Sequence, residues 1–241
     1  MFDPTAAHFY REPTWPASKT FCGTKALARI TEGRPLEPDV SRVLSFFDGG
    51  LGEAIARAFL SMGGVDSAGR IPDMWVGSEW LKMTNNRAGN DRRSPDIMVV
   101  DRNEIRTVLL IVELKGKAYA NGGHGYCPSE NAHAHRYSNQ IICYSGSCWT
   151  TAKNLDDVPR LLVGPDADGD RNVGWGRRAL VPEDELRYDL GDALRTQTAA
   201  LERWRFAGLR ELEREIDGIP DYPGKDDALY VLRSWLDRLG L

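Results

Sequence analysis

The feature that most constrains the fold is an unbroken apolar run at residues 108–112, which ends directly in Glu113-Leu114-Lys115. Consecutive Val, Leu and Ile residues over this length are typical of a strand that is buried on both faces. Charged side chains are seldom placed at the end of such a strand without a partner or a ligand. The run therefore predicts a central β-strand whose end carries polar chemistry.

The rest of the chain alternates between helical and strand-like patterns. Helices are predicted at residues 40–62, 132–144, 183–216 and 226–239, with Gly191 and Gly208 as alternative breaks in the third, and strands at 74–83, 96–101, 107–115, 160–164 and 178–181. This order predicts an α/β fold with a central mixed sheet flanked by helices and with further helices at the C-terminal end. The corresponding domains are an irregular N-terminal arm (1–39), a core (40–182) and a helical extension packed on the core (183–241).

Composition and charge exclude several classes of protein. The 241 residues are 41% hydrophobic and 27% charged, as in ordinary globular proteins. No apolar stretch approaches the roughly 20 residues that span a bilayer, and the N-terminus lacks the pattern of a signal peptide, so we expect a cytoplasmic protein without a membrane partner. The net charge of −4 argues against a non-specific polyanion binder. Basic residues nevertheless outnumber acidic ones between Lys82 and Arg136, where a phosphate would be best placed.

Three charged residues at the ends of the predicted hairpin indicate a hydrolytic site. Pro95-Asp96 begins one strand, and Glu113-Leu114-Lys115 ends the next. Side chains two apart in a strand share a face, so Glu113 and Lys115 are expected side by side. Carboxylates are the ligands that Mg²⁺ prefers, and an ammonium beside that metal can orient a water. Asp73, after Pro72, is a rival to Asp96 as the partner of Glu113.

This arrangement resembles the PD-(D/E)XK nuclease superfamily, the fold of many restriction endonucleases. The resemblance covers roughly residues 40–165 and implies a restriction-endonuclease-like core that hydrolyses phosphodiester bonds in DNA. It implies that Asp96 and Glu113, assisted by the Leu114 carbonyl, ligate Mg²⁺, for which Mn²⁺ would substitute. Lys115 would position or activate the attacking water.

Two further elements of the family have counterparts here. Gln140 and Tyr144 are similar to the QxxxY element of the RecB-like and phage exonuclease branches, and with Arg136 they are spaced to share one helix face. The family often carries another acid in its first helix, for which Glu53 is the candidate. An ion pair between Glu53 and Arg57 on a solvated face is the alternative.

Basic residues near these positions are candidates for phosphate contacts, with a solvated loop as the alternative interpretation of the arginines before Asp96. The candidates are Arg87, Arg92, Arg93, Lys117 and Arg136. A histidine group with Cys127 fits no regular zinc module and is interpreted as loop and helix-start residues. These histidines are His124, His133 and His135.

Several functional interpretations remain open. The first is a restriction or defence endonuclease, which would cut both strands of a duplex most simply as a homodimer. The second is a RecB-like or phage-type DNA exonuclease. A third, from another class, is a non-catalytic nucleic-acid-binding protein on the same fold. A carboxylate-pair glycosidase is disfavoured, since it would need neither Lys115 nor a metal.

Overall fold

The computed structural model describes residues 24–47, 49–76, 95–104, 107–116, 158–165 and 204–241. Within these residues the helices are α1 (Thr24–Thr31), α2 (Glu37–Phe46), α3 (Gly49–Met62), α4 (Leu209–Asp217) and α5 (Lys225–Leu239). The strands are β1 (Pro72–Val76), β2 (Ile97–Asp101), β3 (Val108–Leu114), β4 (Arg160–Gly164) and β5 (Trp204–Gly208).

The strands form one mixed sheet in the order β1-β2-β3-β4-β5. β2 pairs antiparallel with both β1 and β3, whereas β4 pairs parallel with both β3 and β5. The apolar run thus becomes β3, the middle strand of the described sheet, and all its residues except Val108 are buried. The predicted α/β class with a mixed central sheet is confirmed.

The β2–β3 hairpin brings the ends of the two strands together. Ile97 lies opposite Val112, so the residues just beyond each of them, Asp96 and Glu113, become neighbours. A register shift between Val99 and Val100 accommodates one extra residue toward the other end of the hairpin. There the Asp101 side chain accepts a hydrogen bond from the Asn103 amide at 3.0 Å, which supports the turn.

Helices cover one face of the sheet and enclose the core. α2 and α3 pack on β1, α3 also contacts α4, and α5 packs against α2 and α4. Their apolar side chains meet alternate sheet residues such as Leu110, Val112 and Leu161. Each such fully buried side chain contributes about 1.5–3 kcal/mol of transfer free energy. α3 ends where predicted, because Gly64 adopts a positive φ of 66° that lets the Val65 amide reach the Leu60 carbonyl.

Some element predictions were wrong. Residues 204–208, predicted within a long helix, form β5 and pair with β4, so a described part of the predicted helical extension belongs to the central sheet. The predicted helix at 40–62 is two helices, and the first begins at Glu37, inside the predicted irregular arm. The predicted helix at 132–144 and strand at 178–181 lie outside the described residues, and the domain division remains a prediction. Among the described residues, no helix combines the length and apolar character needed to cross a membrane.

Candidate active site

Asp96 and Glu113 meet at the open end of the hairpin, as predicted from the strand order. The Asp96 amide donates a hydrogen bond to Glu113 Oε2 at 3.3 Å, and the Leu114 amide donates to Asp96 Oδ2 at 2.9 Å. Each carboxylate is therefore held by the backbone of the other strand. Both side chains are fixed by the antiparallel register rather than by a flexible loop.

Lys115 completes a group of three. Its Nζ lies 2.6 Å from Glu113 Oε1, and the two side chains are only 6% and 1% exposed. The spacing of two along the extended chain accounts for this contact. The Lys115 amide also donates to the Val163 carbonyl at 2.8 Å, which ties this residue to β4. The predicted convergence of Asp96, Glu113 and Lys115 is present in the structure.

A second glutamate, Glu37, joins this group. It is the first residue of α2, and its Oε1 lies 3.7 Å from Lys115 Nζ. Its Oε2 accepts a hydrogen bond of 2.9 Å from the Gly116 amide. Glu37 was not among the predicted site residues, because it falls in the segment predicted as an irregular arm. The available signal was the helix start itself, where Pro38 occupies the first turn and Asp39 follows.

The start of α2 is held firmly, which fixes the position of Glu37. Asp39 accepts two hydrogen bonds from the Arg29 guanidinium at 2.8 and 2.7 Å, and one from the Leu36 amide at 2.9 Å. The Asp39 side chain is 3% exposed. A bidentate pair in such a setting restrains orientation as well as distance. Glu37 therefore approaches Lys115 from a rigid helix end.

Glu53, the predicted helix acid, lies elsewhere. Its Oε1 accepts hydrogen bonds from Arg57 at 3.0 and 2.7 Å, and both side chains are about a third or more exposed. The alternative of a surface ion pair one helical turn apart describes this geometry. Within the described part of the chain, the helix acid beside Lys115 is Glu37.

Asp73 does not compete with Asp96 for Glu113. The β1–β2 register places Asp73 opposite Val100, toward the end of β2 that is distant from Asp96. Its Oδ1 accepts the Met74 amide at 2.9 Å and lies 3.7 Å from an Arg102 nitrogen. The alternative pairing in which Asp73 replaces Asp96 is therefore contradicted by the strand register.

Three acidic side chains share one ammonium in a poorly solvated place. Burial, and then the charge of Glu113, raise the pKa of Asp96 well above its ordinary value. Burial likewise raises the pKa of Glu113, although Lys115 opposes this. Burial alone would lower the pKa of Lys115, but the surrounding carboxylates outweigh it and raise the pKa. Lys115 is thus an ammonium at neutral pH, and this one positive charge does not offset the cost of ionising both buried carboxyl groups, whose pKa values stay raised.

Buried carboxyl groups that one ammonium does not fully offset suit a divalent cation, which would favour their ionised forms. Asp96 Oδ1 accepts no hydrogen bond from the residues that the structure describes, so it is available to a ligand. Across those residues, no three His, Cys, Asp or Glu side chains are arranged as a metal-binding group. The groups that could hold such a cation are Asp96, Glu113 and the Leu114 carbonyl, all of which offer oxygens, as Mg²⁺ prefers.

The other predicted site residues lie outside the described residues, and so do the three histidines. These site residues are Gln140, Tyr144, Arg87, Arg92, Arg93, Lys117 and Arg136. Their predicted roles in shaping the substrate side and in contacting phosphates stay predictions.

Comparisons with known proteins returned no match: no family model, no curated protein and no solved structure corresponds to this chain. What the chain does is therefore inferred from the side chains that meet at the end of β2 and β3.

Proposed function

We propose that this chain is a divalent-metal-dependent deoxyribonuclease of the PD-(D/E)XK type that hydrolyses phosphodiester bonds as an endonuclease. One observation carries the proposal. Asp96, Glu113 and Lys115 are in direct hydrogen-bonded contact at the ends of two adjacent strands. Like charges are costly to bury, and a stable scaffold alone would not need them there. Their presence in this buried place is understandable if a cation and a phosphate occupy the site.

The acidic side chains would bind the metal, and the lysine would orient the reacting groups. Asp96 and Glu113, with the Leu114 carbonyl, would hold Mg²⁺. When bound, the metal would neutralise phosphate charge and acidify a water. Lys115 is an ammonium, so it acts as a hydrogen-bond donor that orients a water or a phosphate oxygen rather than as a proton acceptor. The contact of 2.6 Å with Glu113 aims its Nζ at the site.

Glu37 adds a second carboxylate contact to the ammonium. At 3.7 Å from Nζ, it stabilises the protonated form of Lys115 and restricts where that side chain can point. Orientation of this kind is worth most when the supporting group is itself rigid. The clamp at the start of α2 supplies that rigidity.

Cleavage of supercoiled plasmid tests the proposal. We expect nicked and linear products with Mg²⁺ or Mn²⁺, none with EDTA, and none from Asp96→Asn. Asn keeps an oxygen for the Leu114 amide, so this variant should remain folded. Lys25→Ala, which removes an exposed lysine on α1, is the matched control and should cleave as the unaltered chain does.

Each other outcome has a defined meaning. Cleavage by Asp96→Asn at the normal rate would contradict the assignment. Loss of linear DNA while closed circles persist would replace the endonuclease with an exonuclease. Binding of DNA without cleavage under every metal condition would favour the non-catalytic interpretation.

A further inference from the structure

Gly116 connects the active site to the C-terminal helix. It directly follows Lys115, and its amide donates the 2.9 Å hydrogen bond to Glu37. On its other side lies Trp235 of α5, which is 3% exposed. A methyl group on the Gly116 Cα would lie 2.8 Å from Trp235 Cζ2 and 3.2 Å from both Cε2 and Nε1. The indole therefore leaves no space beside Gly116.

The same helix also holds the chain that leads into Glu37. An Arg238 nitrogen donates to the carbonyls of Arg34 and Pro35 at 3.0 and 3.4 Å, just before α2 begins. Both partners of the Glu37–Gly116 hydrogen bond are thus supported by α5. Trp235 closes the space on the Gly116 side, and Arg238 restrains the Glu37 side.

We propose that Trp235 is a positioning residue for the active site. By filling the space beside Gly116, the indole keeps the Gly116 amide on Glu37 and so keeps Glu37 next to Lys115. A large and rigid aromatic side chain suits this role, because it loses little conformational freedom when it is packed. The catalytic meaning of this inference rests on the proposed nuclease function, whereas the positioning itself does not.

The amide of residue 116 reports on the positioning without any measurement of activity. In the unaltered chain we expect a downfield, exchange-protected amide proton, because its acceptor is a carboxylate. Glu37→Gln should move this resonance upfield, because its acceptor is then uncharged, and this shift is the reference for a weakened hydrogen bond. Trp235→Phe should move it in the same direction and accelerate exchange by about tenfold, the typical effect of losing one charge-assisted hydrogen bond.

Trp204→Phe is the matched control. It also shortens a buried tryptophan in the same molecule, but at the start of β5, opposite Arg160 rather than beside Gly116. We expect it to leave the residue 116 amide unchanged at a similar cost in melting temperature. An unchanged amide in Trp235→Phe, or an equal shift in Trp204→Phe, would overturn the inference.

Size complementarity provides an independent test. Gly116→Ala introduces the methyl that collides with the indole, so it should displace the amide and lower cleavage. Adding Trp235→Phe to Gly116→Ala should make room for the methyl and restore both. If the losses of cleavage and of amide position in the double variant instead equal the sum of those in the two single variants, Trp235 does not act through Gly116.

These readouts separate the two proposals. If no variant and no unaltered chain cleaves DNA but the amide responds as described, the nuclease function fails and the positioning stands. If DNA is cleaved but the amide does not respond, the nuclease function stands and the positioning role is refuted.

Discussion

Glu37 and Glu53 show how strongly the surroundings decide what a glutamate does. Both belong to helices that pack against β1. Glu53 is a third exposed and pairs with an arginine on its own helix, a contact that water screens well. Glu37 is 29% exposed, but it faces the Gly116 amide and Lys115, whose side chain is only 6% exposed, so water screens this contact less than it screens a pair with two exposed partners. The two side chains are chemically identical, so each is the natural control for the other.

We predict that Glu37→Gln lowers kcat by about tenfold or more, equivalent to about 1.4 kcal/mol of transition-state stabilisation. The physical reason is that Gln holds the Gly116 amide but no longer restrains the Lys115 ammonium by charge. Glu53→Gln should leave kcat unchanged and cost at most about 0.5 kcal/mol of stability, since its ion pair is exposed. Steady-state cleavage rates and melting curves for both variants test this, and equal loss of activity in the two would contradict it.

At the scale of elements, α4 and α5 are joined by a small network of charges. Glu213 on α4 accepts hydrogen bonds of 2.7 Å from Arg210 on the same helix and from Arg233 on α5. Burial pushes the pKa of Glu213 upward, but the bonds from Arg233 and Arg210 outweigh it and hold the pKa below its ordinary value. This network stabilises the α4–α5 pair, and α5 in turn carries the residue that contacts Gly116.

The sign of the resulting pH dependence follows from that shift. Because the folded-state pKa is depressed, the stabilisation is fully present above the ordinary Glu pKa near 4 and is lost as pH falls through the lower folded value. We predict that Glu213→Gln lowers the free energy of unfolding by about 0.5–1 kcal/mol at pH 7, a value limited by the exposed arginines. At pH values below the depressed folded-state pKa of Glu213, the variant and the unaltered chain should converge.

Urea denaturation at several pH values measures this difference. Glu215→Gln, an exposed position on the same helix, is the control and should change the free energy of unfolding by less than about 0.5 kcal/mol. A stability difference for Glu213→Gln that is independent of pH would show that packing, rather than charge, is responsible.

At the scale of the whole molecule, the candidate active site is a source of instability. Three carboxylates and one ammonium meet at the end of a buried strand, while the surrounding core supplies the stability that tolerates them. Removing one partner of a buried ion pair typically costs about 3–5 kcal/mol. Lys115→Ala should therefore be much less stable than Asp96→Asn, although we expect both to be inactive.

Asp96→Asn should raise the melting temperature in EDTA, because it removes one of the repelling carboxylates while it keeps the hydrogen bond to Leu114. Mg²⁺ should raise the melting temperature of the unaltered chain by about 5 °C when it is in hundredfold excess over its Kd, from about 2.7 kcal/mol of binding free energy. Asp96→Asn should lose most of this response. Equal stabilisation of both proteins by Mg²⁺ would mean that the metal binds elsewhere.

The centre of the site could be predicted from the sequence because its determinants are local. The apolar run, the turn after Asp101 and the two-residue period of a strand place Asp96, Glu113 and Lys115 together once the hairpin forms. None of these features depends on distant parts of the chain. The hairpin was predicted correctly for the same reason.

Only the tertiary structure reveals the remainder. Glu37 contacts Gly116 across 79 positions of sequence, and Trp235 reaches the same glycine from the last helix. β5 was mistaken for helix because a five-residue segment such as WRFAG has no strong period, and its pairing with β4 decides its conformation. Contacts of this kind arise when separate elements pack, and no local pattern encodes which side chains will then meet. Periodicity therefore located the two strands that carry the candidate site, whereas long-range packing determined which helix acid and which tryptophan lie beside it.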